Sequence, residues 1–329
     1  MNKILVDKYG RKYQYLRISV TDRCNFKCKY CMPQHSFKML SHNDILSYED
    51  ILFVVKTLAE VGIKKVRVTG GEPLVRKNIT YLFRELGKIQ GIQDITFTTN
   101  GSLLKKFAKD IYEAGVRRIN ISLDSLKKDR YEFITGGFDL EAIIDSIKYA
   151  KEVGFKPIKI NVVAIKGFND DEILDFCEFS AENDLNVRFI EFMPLESSME
   201  WKKENIITGK EILEKISKKY ELKHLEKENL SGPSDNYLLS NGAKIGIITP
   251  ISNHFCATCD KLRLTADGKL RPCLLSDYEI DLKPAIINSD AELLLKLIQD
   301  SLHLKAEKHP VDCDLANKRF GRHMSEIGG

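Results

Sequence analysis

Between Leu16 and Phe192 the chain alternates, six times over, a short β-branched run with a longer amphipathic stretch. The runs are Leu16 to Val20, Lys65 to Thr69, Asp94 to Thr99, Arg118 to Leu123, Pro157 to Ala164 and Val187 to Phe192. Helical patterns follow at Tyr48 to Val61, near Ile79 to Leu86, at Leu103 to Ala114, near Lys128 to Phe133, at Leu140 to Val153 and at Asp170 to Glu182. Ser47 is placed to cap the first of these helices and Gly62 to end it. Strands that alternate with helices lie parallel and join by right-handed crossovers, which predicts an α/β sheet or barrel.

Parity along the strands narrows the choice. A parallel sheet covered on both faces has strands that are apolar on both. Here one face of every run is polar: Arg17 and Ser19; Lys65, Arg67 and Thr69; Thr96, Thr98 and Asn100; Asn120, Ser122 and Asp124; Lys159 and Asn161; and Arg188. Alternate residues of a strand share a face, so these side chains can converge on one surface. A complete eight-stranded barrel fills its interior with branched apolar side chains. Six strands with a polar inner face predict instead an open (β/α)6 partial TIM barrel around a ligand. Arg17, Lys65, Arg67, Lys159 and Arg188 put five cations on that face, with Asp124 as its carboxylate. Burying such charge is costly without a counter-charge. A polyphosphate supplies one and suits the bidentate fork of arginine. The alternative is ion pairing to loop carboxylates such as Glu72 or Glu191.

The first strand feeds the loop Thr21-Asp-Arg-Cys24-Asn-Phe-Lys-Cys28-Lys-Tyr-Cys31-Met-Pro33. The chain has eight cysteines: this trio, a second trio at Cys256, Cys259 and Cys273, and the isolated Cys177 and Cys313. Cys177 sits in an apolar helical pattern and reads as core. With no secretory signal or membrane-spanning run at hand, clustered thiols point to a reducing, cytoplasmic setting and to metal or catalysis rather than disulfides. Thiolates select zinc, copper(I) or iron–sulfur clusters. Structural zinc takes four ligands, commonly in two pairs, whereas three closely spaced thiols suit a four-iron cube with one iron left open. A Cys3His zinc site using His35, or three unrelated thiols, are the alternatives. The spacing, with the aromatic Tyr30 just before the last cysteine, resembles the signature of the radical S-adenosylmethionine (SAM) enzymes.

After Leu195 the alternation stops. A polar stretch around Ser197-Ser198, with Trp201, reads as a linker, so the expected division is residues 1–195 and an α+β region at 196–329. That region offers a helix at Thr208 to Tyr220, a charged loop at Lys223 to Asn236, a strand at Lys244 to Thr249 and a helix around Ala291 to His303. The Asp267-Gly268 turn between two strand-like runs predicts a hairpin. It brings Cys259 and Cys273 together near Cys256, as a second cluster site or as a zinc ribbon completed by His254. The net charge of +4 gives no ground for a nucleic-acid partner.

Together these motifs resemble the GTP 3′,8-cyclase family, radical SAM lyases that open molybdenum cofactor biosynthesis. The resemblance runs from Tyr15 to Gly329. It rests on the first cysteine loop, Arg67-Val-Thr-Gly-Gly-Glu-Pro, Thr98-Thr-Asn-Gly, Asn120-Ile-Ser-Leu-Asp-Ser, Phe189-Ile-Glu-Phe-Met-Pro, Cys256-Ala-Thr-Cys259 with the hairpin to Cys273, and the terminal Gly328-Gly329. It implies two [4Fe-4S] clusters: one on Cys24, Cys28 and Cys31, which binds SAM, and one on Cys256, Cys259 and Cys273, which meets the substrate. Tyr30, Gly71, Ser122 and Met193 would contact SAM, with glycine backbone close to its methionine end. Arg17, Arg67, Thr98, Lys159, Lys261, Leu262 and Arg263 would line the GTP site. Where the family has its first arginine after the second Cys of that cluster, this chain has Lys261, which keeps the charge and loses the bidentate fork.

The reaction implied is hydrogen abstraction from the ribose C3′ of GTP by a 5′-deoxyadenosyl radical. Closure onto C8 then gives (8S)-3′,8-cyclo-7,8-dihydroguanosine 5′-triphosphate. Arg17, Gly328 and Gly329 would serve the chemistry itself. A flavodoxin- or ferredoxin-type electron donor and a downstream cyclic pyranopterin monophosphate synthase are the implied partners, with a homodimer open. A radical SAM enzyme acting on a peptide is the rival, and it would call for a peptide groove and more cysteines near the C-terminus.

Overall fold

The computed structural model describes residues 4–32, 39–195, 199, 201–226, 232–309 and 321–328. Six parallel strands, β1 (Tyr15–Ser19), β2 (Lys65–Thr69), β3 (Asp94–Thr99), β4 (Arg118–Ser122), β5 (Ile158–Ala164) and β6 (Asn186–Glu191), stand in sequence order. Between and after them run α1 (Tyr48–Glu60), α2 (Ile79–Leu86), α3 (Leu104–Glu113), α4 (Lys128–Thr135), α5 (Leu140–Val153) and α6 (Ile173–Asn183). Some boundaries have a clear local cause. Ser47 and Asp50 close a reciprocal capping box on α1, satisfying two orphan amides. Gly154 takes the left-handed conformation that ends α5.

The sheet does not stop at residue 195. Beyond it come α7 (Gly209–Ser217), β7 (Leu222–Leu225), β8 (Asp235–Leu239), β9 (Lys244–Ile248), β10 (Lys261–Leu264), β11 (Lys269–Arg271) and β12 (Ile280–Asp281), with α8 (Lys283–Ile287), α9 (Ala291–Leu304) and α10 (Met324–Ile327). Strand β9 pairs in parallel with β6, and β10 pairs in parallel with β1. Both open edges of the partial barrel are thereby extended by C-terminal strands, in one twelve-stranded sheet. The stretch read as a charged loop from Lys223 to Asn236 contributes to an antiparallel hairpin, β7 with β8, on the outer edge. Its strands are half-exposed on both faces, so they lack the alternation that marks a strand in sequence.

The register delivers the inner face. Arg263, Arg17, Arg67, Thr96 and Arg118 are successive partners across five strands. So are Thr98, Asn120, Lys159, Asn186 and Lys244, and so are Ser122, Asn161, Arg188 and Gly246. The opposite parity, with Leu16, Val66, Phe97, Ile119, Ile160 and Val187, packs under the helices in one apolar core. Among the described residues no helix is long and apolar enough to cross a membrane.

Candidate active site between two thiol trios

The first trio sits where β1 ends, at the rim formed by the C-terminal ends of the parallel strands. Its loop is fastened to α4 by backbone bonds from Lys27 to Thr135 (3.1 Å) and Lys29 to Ile134 (3.0 Å). Gly70 and Gly71 press on the same loop: a Cβ at either would run into the carbonyls of Thr21 or Arg23. Close approach of this loop therefore requires glycine at Gly71 before any ligand is considered. Glu72, buried, accepts from the amides of Leu74 (3.0 Å) and Asn100 (2.7 Å) and from Thr99 Oγ1 (2.9 Å), tying the ends of β2 and β3. Cys24 Sγ accepts from the Phe26 amide at 3.3 Å and from Asn100 Nδ2 at 3.9 Å. Burial pushes the Cys24 thiol up to about 11 and carries Cys28 and Cys31 higher still, with Asp124 adding to the last two. Tyr30 bonds to the Asp124 carboxyl, which also accepts from the Val163 amide at 2.9 Å. Ser122 lies half-buried at the end of β4. Met193 packs against the small apolar cluster of Leu195, Ile206, Ile251 and Leu275.

The opposite rim holds the cations. A cavity of about 500 Å³ is lined by Lys65, Arg118, Lys159, Arg188 and Lys244, with Asn186, Asn236 and Tyr237. Burial, then repulsion from Arg188, Arg118 and Arg67, lowers Lys159 to about 6. Burial and Arg67 lower Arg188 to about 9. Neither makes an ion pair among the described residues. The two loop carboxylates that offered an alternative do not meet these cations: Glu191 accepts from the amides of Gly209, Ile251 and Ser252, each at 2.9 Å, and Glu72 is used as above. Asp94, which the parity reading left off the inner face, does. It bridges Lys65 (3.1 Å) and Arg118. Beneath the cations Tyr15 lies buried, its ring centroid 4.9 Å from Lys65, 5.5 Å from Arg67 and 5.6 Å from Lys261. Gly246 is needed here, since a Cβ would strike Ser234 Oγ and crowd Arg188. Between the rims, Thr98 Oγ1, Asn120 Oδ1 and Asn161 Oδ1 are buried without a hydrogen-bond partner among the described residues. Buried polar atoms of that kind call for a ligand.

The second trio lies at the cation rim, beside the start of β1. The carbonyl of Asp260 accepts from the Tyr15 amide at 3.2 Å. Lys261 pairs with Asp260 at 2.6 Å. Arg263 is fully on the inner face. Leu262, expected in the same site, turns the other way by strand parity and is buried in the core opposite Leu16, which leaves only its backbone to the barrel. Burial raises the Cys259 thiol, but Lys305 and Lys261 outweigh it and hold the group below its ordinary value.

The tail closes the thiol rim. Arg322 pairs with Asp267 (2.8 Å) and Glu279 (2.9 Å) on the hairpin side, and the Gly321 amide donates to Asp277 at 2.9 Å. The Ser325 amide donates to Cys31. The Gly328 carbonyl accepts from Arg263 at 3.1 Å. Gly328 has φ +66° and lies so close to Thr69 that a Cβ would collide with its Oγ1. Gly329, Cys313 and His35 lie outside the described residues.

Each trio offers three soft thiolate donors, a donor type that suits an iron–sulfur cluster. Four thiolates at about 2.3 Å from zinc crowd within about 4 Å of one another. Among the described residues neither trio has its three sulfurs within 4.8 Å of one another. The one group that meets this spacing is His254, Cys256 and His309.

Residues 18–180 match the Radical SAM superfamily model, and residues 185–311 match Molybdenum Cofactor Synthesis C. The GTP 3′,8-cyclase of Thermodesulfovibrio yellowstonii is 47% identical over 98% of this chain and 99% of its own. That of Peptoclostridium acidaminophilum is 44% identical over 99% and 98%. The chain belongs to the GTP 3′,8-cyclase family. Solved structures share the fold at low identity. SuiB of Streptococcus suis, bound to S-adenosylmethionine, superposes with a TM-score of 0.62 at 16% identity, over 85% of this chain and 65% of that one. The AdoMet-bound anSMEcpe does so with a TM-score of 0.58 at 16% identity, over 89% and 84%.

Sequence reasoning found the inner-face rows and both trios. It missed Tyr15, Asp94 and Arg118, although all three have the parity of residues it did select.

Proposed function

We infer that this chain is a radical SAM lyase that converts GTP to (8S)-3′,8-cyclo-7,8-dihydroguanosine 5′-triphosphate, the first step of molybdenum cofactor biosynthesis. The observation that carries the reading is the inner-face row of cations and unpartnered polar atoms between two thiol trios. The two [4Fe-4S] clusters and SAM, when bound, supply one-electron, hydrogen-abstracting chemistry. Cys24, Cys28 and Cys31 would hold the first cluster and Cys256, Cys259 and Cys273 the second. Tyr30, Gly71, Ser122 and Met193 surround the rim where SAM would sit.

The chain's residues supply position and charge. Lys65, Arg67, Lys159 and Arg188 face the triphosphate, with arginine forks matched to its oxygens. Thr98, Asn120 and Asn161 present their unpartnered atoms to the nucleoside. Arg17 stands midway along β1 between Arg263 and Arg67, where it meets the reacting sugar. Lys261 and Arg263 lie beside the second trio, toward the base. Gly328, docked over Thr69, excludes water from the cavity while the substrate is in place. Gly329 is proposed to reach further in.

Anaerobic iron and sulfide analysis, combined with an assay for the cyclised nucleotide, tests the proposal. About eight irons per chain and product from GTP are expected. About four irons with zinc would remove the second cluster from the reading. An external donor of flavodoxin or ferredoxin type fits a reaction whose electron the chain's side chains cannot generate. A downstream cyclic pyranopterin monophosphate synthase, a homodimer and a cytoplasmic setting are further proposals. So is division of the chain at residue 195; the two matched models meet earlier, between residues 180 and 185.

A further inference from the structure

Lysine is seldom buried unless an anion pairs with it. Lys305, just past the end of α9, is only 5% exposed. Its ammonium stands 3.7 Å from Cys259 Sγ and 4.7 Å from the centroid of the Tyr13 ring. Among the described residues it makes no ion pair with a carboxylate. The segment is held in place by a second buried cation. Arg11 donates to the carbonyls of Cys256 (3.0 Å), Ala306 (2.9 Å) and Glu307 (2.9 Å), and pairs with Asp7, which also accepts from the Tyr13 hydroxyl at 2.7 Å. One guanidinium thus ties the second thiol loop to the stretch that carries Lys305. An ammonium so fixed against a sulfur has a charge to answer only if that sulfur is anionic.

We propose that Lys305 is a positioning residue for the second cluster, donating to the Cys259 sulfur and raising the potential at which that cluster is reduced. This rests on the reading that the second trio holds a cluster. Hydrogen bonds to cluster sulfurs and nearby positive charge stabilise the reduced, more negative state, which is how a protein moves a cluster's potential upward. Among the described residues Cys24 of the first trio receives an amide and a carboxamide donor but no cation. The effect therefore belongs to one cluster.

The test is an EPR-monitored redox titration of the anaerobically reconstituted full chain. The signal missing from Cys259→Ser identifies the second cluster. In Lys305→Met that signal should titrate at a lower potential while the other stays in place, and Lys305→Arg should return it toward the parent. An unchanged midpoint in Lys305→Met with full iron content overturns the proposal. If Lys305→Met does not retain iron, the metal-free chain gives a second readout. Iodoacetamide alkylation of Cys259, followed by peptide mass spectrometry, should slow about threefold or more without the ammonium. An unchanged alkylation rate also overturns it. Iron content and signals unaltered by Cys259→Ser would instead overturn the reading of the second trio, and this proposal with it.

Discussion

The two thiol trios are alike in number and opposite in surroundings. They lie at the two ends of β1, whose five residues span about 16 Å. The first is enclosed by burial and by carboxylates, with Glu72 near Cys24 and Asp124 near Cys28 and Cys31, all of which disfavour negative charge on sulfur. The second is also buried, but Lys305, Lys261 and Arg263 flank it and favour negative charge on sulfur, enough to hold Cys259 below its ordinary value though not Cys273. A cluster in the first setting is harder to reduce and, once reduced, a stronger donor. A cluster in the second sits where an anionic substrate is welcome. On the proposed reading the same ligand type would serve electron delivery at one end and substrate contact at the other, the difference being made by side chains that do not ligate.

Breaking one trio at a time should separate these roles, and here the largest effects are expected. Cys28→Ser should abolish 5′-deoxyadenosine formation and remove about half the iron. Cys259→Ser should remove a similar share of iron and stop the cyclised product, yet leave SAM cleavage measurable by liquid chromatography. Cyclisation surviving in Cys259→Ser would mean the second trio is structural. The tail comes next. Gly328→Val puts a branched side chain against Thr69 in a left-handed conformation. Both clusters and GTP binding should persist while product falls by at least about tenfold, a loss worth about 1.4 kcal/mol of barrier. Product at the parental rate would make the docked tail dispensable.

Much of this comparison was legible in the sequence, and what was not has physical reasons. Thiol spacing and strand parity are local periodicities, so Cys24, Cys28, Cys31 and the row through Arg17 and Arg67 could be read directly. The asymmetry between the trios could not. Lys305 is 46 residues from Cys259 in sequence, and Arg11 is 245 from Cys256. Nothing local marks either as a neighbour of a thiol. Asp94 opens the run from Asp94 to Thr99 with the parity of Thr96 and Thr98 but was left off the inner face, yet it is the carboxylate that Lys65 and Arg118 share. The β7–β8 hairpin escaped because an edge exposed on both sides carries no alternation.

The cation rim sharpens the comparison at smaller amplitude. Arg67→Ala and Arg188→Ala each delete a charge-assisted contact worth about 1.5–3 kcal/mol, so GTP should bind about ten- to a hundredfold more weakly by calorimetry, with iron content unchanged. Guanosine, lacking phosphates, should be nearly indifferent to either change. Lys159 adds a pH signature. Burial and then Arg188 hold the free ammonium at about 6, so above that pH it is largely neutral until phosphate oxygens restore its charge. Binding then takes up a proton, and affinity should fall as pH rises from 6 toward 8, by up to about tenfold per unit. Below pH 6 this contribution vanishes, because the free lysine is already charged. Comparing the parent with Lys159→Met cancels the ligand's own titration. Equal pH slopes in the two would refute the assignment.

The smallest effect is expected at a thiol that belongs to neither trio. Cys177 is fully buried on α6, in the apolar core beside Phe176. Burial pushes it up to about 12, close to the value that burial gives Cys24. A raised thiol therefore says only that sulfur has left water, and it does not distinguish a ligand from a core residue. What distinguishes Cys24 is the company of Cys28 and Cys31 on one loop, where a metal can turn three costly thiolates into bonds. Replacing Cys177 by alanine removes one sulfur from a packed interior and should cost about 1 kcal/mol of stability. A denaturant midpoint slightly below the parent's, with the same iron, the same 5′-deoxyadenosine and the same product, is the expected result. A loss of iron in Cys177→Ala would show that ligation reaches beyond the two trios and that burial of a lone thiol had been misread as packing.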